Sequence, residues 1–254
     1  MTESLGVRVL PVRGLPEVGR DADLAALIVA SATAQGTPVE QGDIVVVTQK
    51  IVSKAEGRTV DLSTVDPSEF AARWASEWGK DARQVEIAIR EARRIVRMAN
   101  GVLITETQHG FICANSGVDA SNSAQSGIVI LLPEDPDGSA RRIRTALRTA
   151  ISADVAVIVS DTFGRPWREG LTNVAIGVAG ISPLTDYRGQ QDATGYDLQV
   201  TVLAVADELA SAAELVMGKL DRVPVAIIRG HAWRVDDAAD SRGLIREAGR
   251  DLFR

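Results

Sequence analysis

Hydrophobic positions change period several times along this chain of 254 residues, and each change predicts an element. Alternation over residues 7–18 reads as an N-terminal strand that turns at Gly14, Leu15 and Pro16. Residues 21–36 carry apolar side chains at 24, 27, 28 and 31 with Gly36 beyond them, a helical period followed by its stop signal. GDIVVVTQKIVSK (42–54) reads as a buried strand entering a polar segment. Residues 66–79 open with Asp66 as cap, Pro67 in the first turn and Glu69 as the N3 acid. Phe70, Trp74 and Trp78 then fall four apart, which predicts an aromatic stripe in the core. Residues 81–100 are the longest helical pattern, with Val85, Ala88, Ile89, Ala92, Ile95, Val96 and Ala99 on one stripe and Glu86 paired with Arg90 on the solvated face.

Strand patterns follow at 102–105 and 128–132, then a helix from about 139 to 150 and a strand at 155–159. A mixed, glycine-rich stretch occupies 172–181, a strand lies near 199–206, and a helix over 207–217 stops at Gly218. The last strand spans 222–230, where Pro224 suits a strand's first residues or an edge. Strict strand–helix alternation is missing, so the expected class is α+β with mixed sheets, or an irregular α/β fold. No repeat or low-complexity linker interrupts residues 1–254, and the polar tail 232–254 is either packed on the body or the start of a linker.

Composition narrows the function classes. No apolar run approaches the roughly 18 residues of a membrane span, and MTESLGVRVLPV lacks the basic and apolar regions of a secretory signal. Cys113 is the sole cysteine, which excludes an internal disulfide and a thiolate cluster. Cytoplasm is therefore the expected compartment. A formal net charge of −6 argues against a general nucleic-acid binder, although a local group of cations still suits a small anion. Two histidines argue against a His-rich zinc site.

Four stretches place polar residues at predicted strand ends. RGLPE (13–17) offers a glycine for close backbone approach and a proline-stiffened turn, and by itself is an ordinary turn. TQKIVSK (48–54) sets Lys50 and Lys54 four apart, as a phosphate clamp or as a solvated lysine pair. NSGVDASNS (115–123) is explained by Asx-turns, yet it also offers Asp119 as a hard oxygen ligand and Asn122 as an amide reader. VAVIVSDTFGRPWREGLTN (155–173) ends an apolar strand on Asp161 and Thr162, oxygen donors that suit Mg²⁺ or Mn²⁺. Arg165 and Arg168 follow, with the fork geometry that phosphate oxygens accept. Together these residues suggest phosphoryl transfer. Neither a GxxxxGK[ST] loop nor a GxGxxG fingerprint occurs. DTFG only weakly matches an aspartyl-phosphatase motif, because Phe163 stands where a second Asp is needed.

GLPE (14–17), GDIVVVTQKIVSKAEGR (42–58), GVDASN (117–122), SDTFGRPWREG (160–170), VADELASAAELVMGK (205–219) and PVAIIRG (224–230) occur in this order. Taken together they resemble the coenzyme F420-0:γ-glutamyl ligase family, to about residue 230. The resemblance implies a two-lobed α+β fold, neither P-loop nor Rossmann, in a homodimer with no nucleic-acid or membrane partner. It implies GTP-dependent addition of L-glutamate to F420-0, and of further γ-linked glutamates, through an acyl phosphate, with release of GDP and phosphate. It also implies Mg²⁺ or Mn²⁺, two per site, with K⁺ as an assisting cation.

Carried over by position, Asp119 and Asp161 match the family's first metal position and Thr162 the second. Leu15, Pro16 and Glu17 fall in a nucleotide-binding loop, Gln49, Lys54 and Asn122 match nucleotide contacts, and Met217, Gly218 and Lys219 fall in a late nucleotide-binding segment. Lys219 departs from the carboxamide of some relatives; an ammonium cannot ligate metal, so phosphate contact is expected there. Arg165 and Arg168 have no role to carry over, and are expected to bind the acidic tail of F420-0 or to stabilise the acyl phosphate. A metal-dependent phosphatase or phosphotransferase built on Asp161, and a nucleotide-binding regulatory module without turnover, are the competing readings. Some relatives continue into a second, flavin-binding reductase-like domain, so the chain is expected to be a stand-alone ligase or the N-terminal part of a longer protein.

Overall fold

Valine and isoleucine runs form the centre of the molecule because strand side chains alternate between two faces, and both faces here are covered by helices. The computed structural model describes residues 6–121 and 127–251. Its largest sheet joins β1 (Arg8–Pro11), β2 (Ile44–Thr48), β8 (Ala156–Arg165), β9 (Arg168–Ile181), β12 (Val225–Arg229) and β13 (Val235–Asp236) in the order β1-β12-β2-β8-β9-β13. Only β2 and β8 run parallel. Val45, Val47, Val157, Val159 and Ile227 pack with α1 (Leu24–Ala34) and α5 (Pro136–Ile151) on one face. Ile44, Val46, Ile158 and Ile228 pack with α6 (Val205–Met217) on the other. The architecture is α+β.

Between β2 and α5 the chain builds further structure beside this sheet. Helix α2 (Gln49–Ala55) follows β2 directly. Strand β3 (Thr59–Asp61) pairs with β7 (Ile128–Ile130), while β4 (Ala92–Ala99), β5 (Val102–Thr107) and β6 (Ile112–Ala114) form a three-stranded sheet. Helices α3 (Glu69–Trp78) and α4 (Ala82–Arg90) pack together through one small apolar cluster, and Ile87 of α4 packs with Val60 of β3 and Val129 of β7 in another. A short pair, β10 (Thr185–Asp186) with β11 (Val202–Leu203), precedes α6.

Several expected elements differ from those observed. The helical stripe over 81–100 ends at Arg90, and Ala92–Ala99 is strand β4. Asn100 and Gly101 both adopt positive φ and turn the chain back into β5, a hairpin signal stronger than the periodicity around it. Helix α3 is capped by Ser68, whose side chain accepts from Ala71 N, rather than by Asp66. Its core face is Ala71 and Ala75, against which Trp74 packs half-buried; Phe70 and Trp78 remain 41% and 39% exposed, so the expected aromatic stripe enters the core only at Trp74. The strand near 199–206 is only Val202–Leu203, because α6 begins at Val205.

The glycine-rich stretch is the long strand β9. Its glycines admit α5: a Cβ on Gly177 would lie 2.3 Å from Pro136 O, and one on Gly180 would lie 2.2 Å from Arg144 Nε. Strand β8 likewise continues past Asp161 to Arg165, and Pro166 and Trp167 make the hairpin tip into β9. The polar tail lies on the body as far as residue 251. Ser241 donates twice to the buried Asp137 carboxylate, and Trp233 Nε1 donates to Gly42 O.

Candidate active site

The parallel pair β2 and β8 ends with Thr48 opposite Ser160, and the polar residues gather just beyond that register. Ligands of sheets containing parallel strands commonly sit at such carboxyl ends. On β2's side, α2 carries Lys50 and Lys54 one helical turn apart. Lys50 Nζ lies 2.8 Å from Asp119 Oδ2 and donates to Ser121 Oγ at 3.0 Å. Lys54 donates to Glu17. Asp119 is fixed by backbone bonds in both directions with Ile130, and its Oδ1 accepts from Ser121 N at 2.8 Å.

On β8's side, Asp161 and Thr162 point to opposite faces of the strand by alternation. Burial pushes the Asp161 carboxyl up to about 7, and the neighbouring Asp119 charge adds to this; Thr162 N–H and the ammonium groups of Lys219 and Lys50 act the other way. Burial also opposes ionisation of Asp119, but hydrogen bonds from Lys50 and Ser121 outweigh it and hold its pKa below the usual value. Two adjoining carboxylates, one resisting ionisation, form a pair that a cation would relieve.

Thr162 belongs to a closed ring of side chains. Its hydroxyl donates to Asn173 Oδ1 at 2.7 Å, and Asn173 Nδ2 donates to Glu214 Oε2 at 2.8 Å. Lys219 Nζ lies 2.9 Å from Glu214 Oε1 and donates back to Thr162 Oγ1 at 2.6 Å. Strand pairing sets Asn173 directly across from Thr162, while α6 supplies Glu214 and its C-terminal turn leads to Lys219. Beside this ring, the buried Ser160 Oγ has no hydrogen-bond partner among the described residues.

The structure therefore groups Asp119 with Lys50 and Ser121, Glu17 with Lys54, and Thr162 with Lys219, while charge coupling places Asp161 near both lysine groups. Leu15 packs against the core, and Pro16 is exposed beside Glu17. The Gln49 side chain is buried and accepts from Ser53 Oγ, so it holds α2 from within. Met217 is a core side chain at 1% exposure, leaving only its backbone to meet a ligand. Gly218 ends α6 with φ of 58°. Asn122 lies outside the described residues.

Arg165 and Arg168 sit at the exposed hairpin tip, where Arg165 donates to the Glu169 and Gly170 carbonyls. Arg165 lies four residue steps beyond Asp161, roughly 13 Å along β8. The sequence reading missed Asn173 and Glu214, because their roles depend on hairpin register and on where α6 docks.

Among the described residues no three His, Cys, Asp or Glu side chains are grouped to hold a metal. Asp119 and Asp161 nevertheless match the way Mg²⁺ is bound, by one or two carboxylates with water and substrate phosphate oxygens completing the shell. Hard oxygen donors suit Mn²⁺ equally.

A family model described as F420-0:Gamma-glutamyl ligase matches residues 14–230. The chain is 44% identical over 252 residues to the coenzyme F420:L-glutamate ligase of Methanothermobacter thermautotrophicus, covering 98% of this chain and 100% of that protein. It is 46% identical over 252 residues to the protein of that name from Methanopyrus kandleri, covering 98% of both. With the one from Methanocaldococcus jannaschii it shares 45% identity over 218 residues, covering 85% of this chain and 86% of that one. The chain belongs to the F420-0:γ-glutamyl ligase family.

Proposed function

We propose that this protein is a GTP-dependent ligase that joins L-glutamate to coenzyme F420-0 and adds further glutamates through γ-links. The observation that carries this reading is the Lys50–Asp119 ion pair beyond the β2–β8 register, with Asp161 near enough to feel the charges of Asp119, Lys50 and Lys219. Carboxylates beside lysines suit a metal-bound triphosphate, and family membership supports the amide-forming reaction.

In this reading an oxygen of the F420-0 carboxylate attacks the γ-phosphorus, and the bond to GDP breaks. Glutamate's amine then attacks the carbonyl carbon of the acyl phosphate. An amide forms, the amine gives up a proton, and phosphate leaves with the oxygen it took from the substrate. Asp119 and Asp161 would hold Mg²⁺ or Mn²⁺, which supplies charge neutralisation at the phosphates when bound. Lys50 and Lys54 meet phosphate oxygens once released from Asp119 and Glu17, and backbone groups around Leu15, Pro16 and Gly218 shape the nucleotide pocket. Arg165 and Arg168, at the hairpin tip, bind the acidic part of F420-0 remote from the phosphoryl group. The working assembly is a homodimer.

An isotope experiment tests the route. F420-0 labelled with ¹⁸O in its terminal carboxylate should deliver one label to the released phosphate. Unlabelled phosphate alongside normal amide formation would exclude the acyl phosphate.

A further inference from the structure

The Thr162 hydroxyl stands where a second metal ion is expected, yet its proton and one of its two lone pairs are already engaged. It donates its proton to Asn173 and accepts from Lys219 Nζ at 2.6 Å. The same ammonium lies 2.9 Å from a Glu214 carboxylate oxygen. Asn173 is buried and spends its amide on Glu214 and its carbonyl on Thr162, so the acceptor positions around the ammonium are held from behind. A hydroxyl and a carboxylate converging on one centre is how a protein holds a small hard cation; here the centre is a lysine nitrogen. An ammonium has no lone pair to offer a metal, and its charge repels a second ion placed against Thr162.

We infer that Lys219 is a tethered cation occupying the Thr162 position, so that the site takes one divalent ion, at Asp119 and Asp161, rather than two. This rests on the metal-dependent reading above. The single ion would meet one part of the triphosphate, and Lys219 would neutralise another as a fixed point charge, a role in which lysine binds phosphate without ligating metal.

Manganese stoichiometry provides the test, measured on the folded protein with saturating GDP by counting free Mn²⁺ from its electron paramagnetic resonance signal. The wild-type chain should bind one tight Mn²⁺. Lys219→Gln removes the charge, frees the hydroxyl and supplies a carboxamide oxygen, and should bind two. Lys219→Met removes the charge without adding a ligand, and separates loss of repulsion from gain of a donor. Its second ion should be absent or at least tenfold weaker than in Lys219→Gln. Two tight ions in the wild-type chain would overturn the inference, as would one ion in both the wild type and a folded Lys219→Gln. No bound Mn²⁺ in the wild-type complex would instead defeat the metal-dependent reading itself.

Discussion

Asp161 is the residue on which the chemistry and the stability of the protein pull in opposite directions. Its carboxyl is pushed up to about 7 mainly by burial. Above that pH the folded, metal-free protein holds a charge that the unfolded chain would solvate, so this group weakens the fold as pH rises from the ordinary carboxylate range through about 7. Asp161→Asn keeps the shape and removes the charge. At pH 8 without metal it should melt higher than wild type, by about 2–4 °C for each kcal/mol gained, while losing turnover. Calorimetry and a product assay on the same preparation check both halves; a lower melting temperature would show that the carboxylate is satisfied without a cation. Cys113 supplies a second test at this scale. It is buried, and desolvation with the nearby Asp161 charge pushes its thiol up to about 12. Thiol reagents at pH 8 should leave it unmodified in the native protein and label it promptly in denaturant; rapid native labelling, read by mass spectrometry, would contradict the packing around β6.

At the scale of elements, the contact between α5 and β9 holds the long hairpin strand in register beneath the site. Gly177 lets the backbone of Pro136 approach, and Asp137 at the start of α5 accepts from Val178 N and from Ser241 of the tail. Gly177→Ala forces backbone against Cβ and should cost about 2–3 kcal/mol, seen as a lower urea midpoint. Asp137→Ala strands buried donors and should cost about 2–4 kcal/mol. Hydrogen exchange should then rise around residues 178 and 241 before the rest of the sheet opens. Protection unchanged at both positions would mean that the tail is held by other contacts.

These elements also show where the sequence could be read. Strands β2, β8 and β12 were legible because β-branched runs have few alternatives. Residues 49–55 read only as a polar segment after a strand; that they form helix α2, which sets Lys50 and Lys54 one turn apart, was not foreseen. The stretch 81–100 misled because its apolar positions fit a helix, whereas Asn100-Gly101 demanded a hairpin that rewrote the preceding eight residues as β4. Glycines at 177 and 180 hid β9, since their purpose lies in a helix distant along the chain. Phe70 and Trp78 shared a period with the core without entering it.

On the scale of the whole molecule, the site exists only because separate parts of the chain return to one place. Lys50 meets Ser121 across 71 positions, and Lys219 meets Thr162 across 57. Asp119, Asp161 and Thr162 stand out locally, while Lys219 is named only through the family resemblance. Asn173 and Glu214 are ordinary polar residues until β8 pairs with β9 and α6 packs on both, which no local pattern specifies. The net charge of −6 is likewise uninformative about a site whose lysines act at close range on a bound anion.

Phosphate release from GTP with Mn²⁺, omitting F420-0 and L-glutamate in turn and recording product masses, tests the central claim most directly. The account predicts sustained release only when both are present, with F420-0 one glutamyl unit heavier after the first turnover. Equal release without glutamate, with F420-0 unchanged in mass, would contradict it and favour a phosphatase built on Asp161.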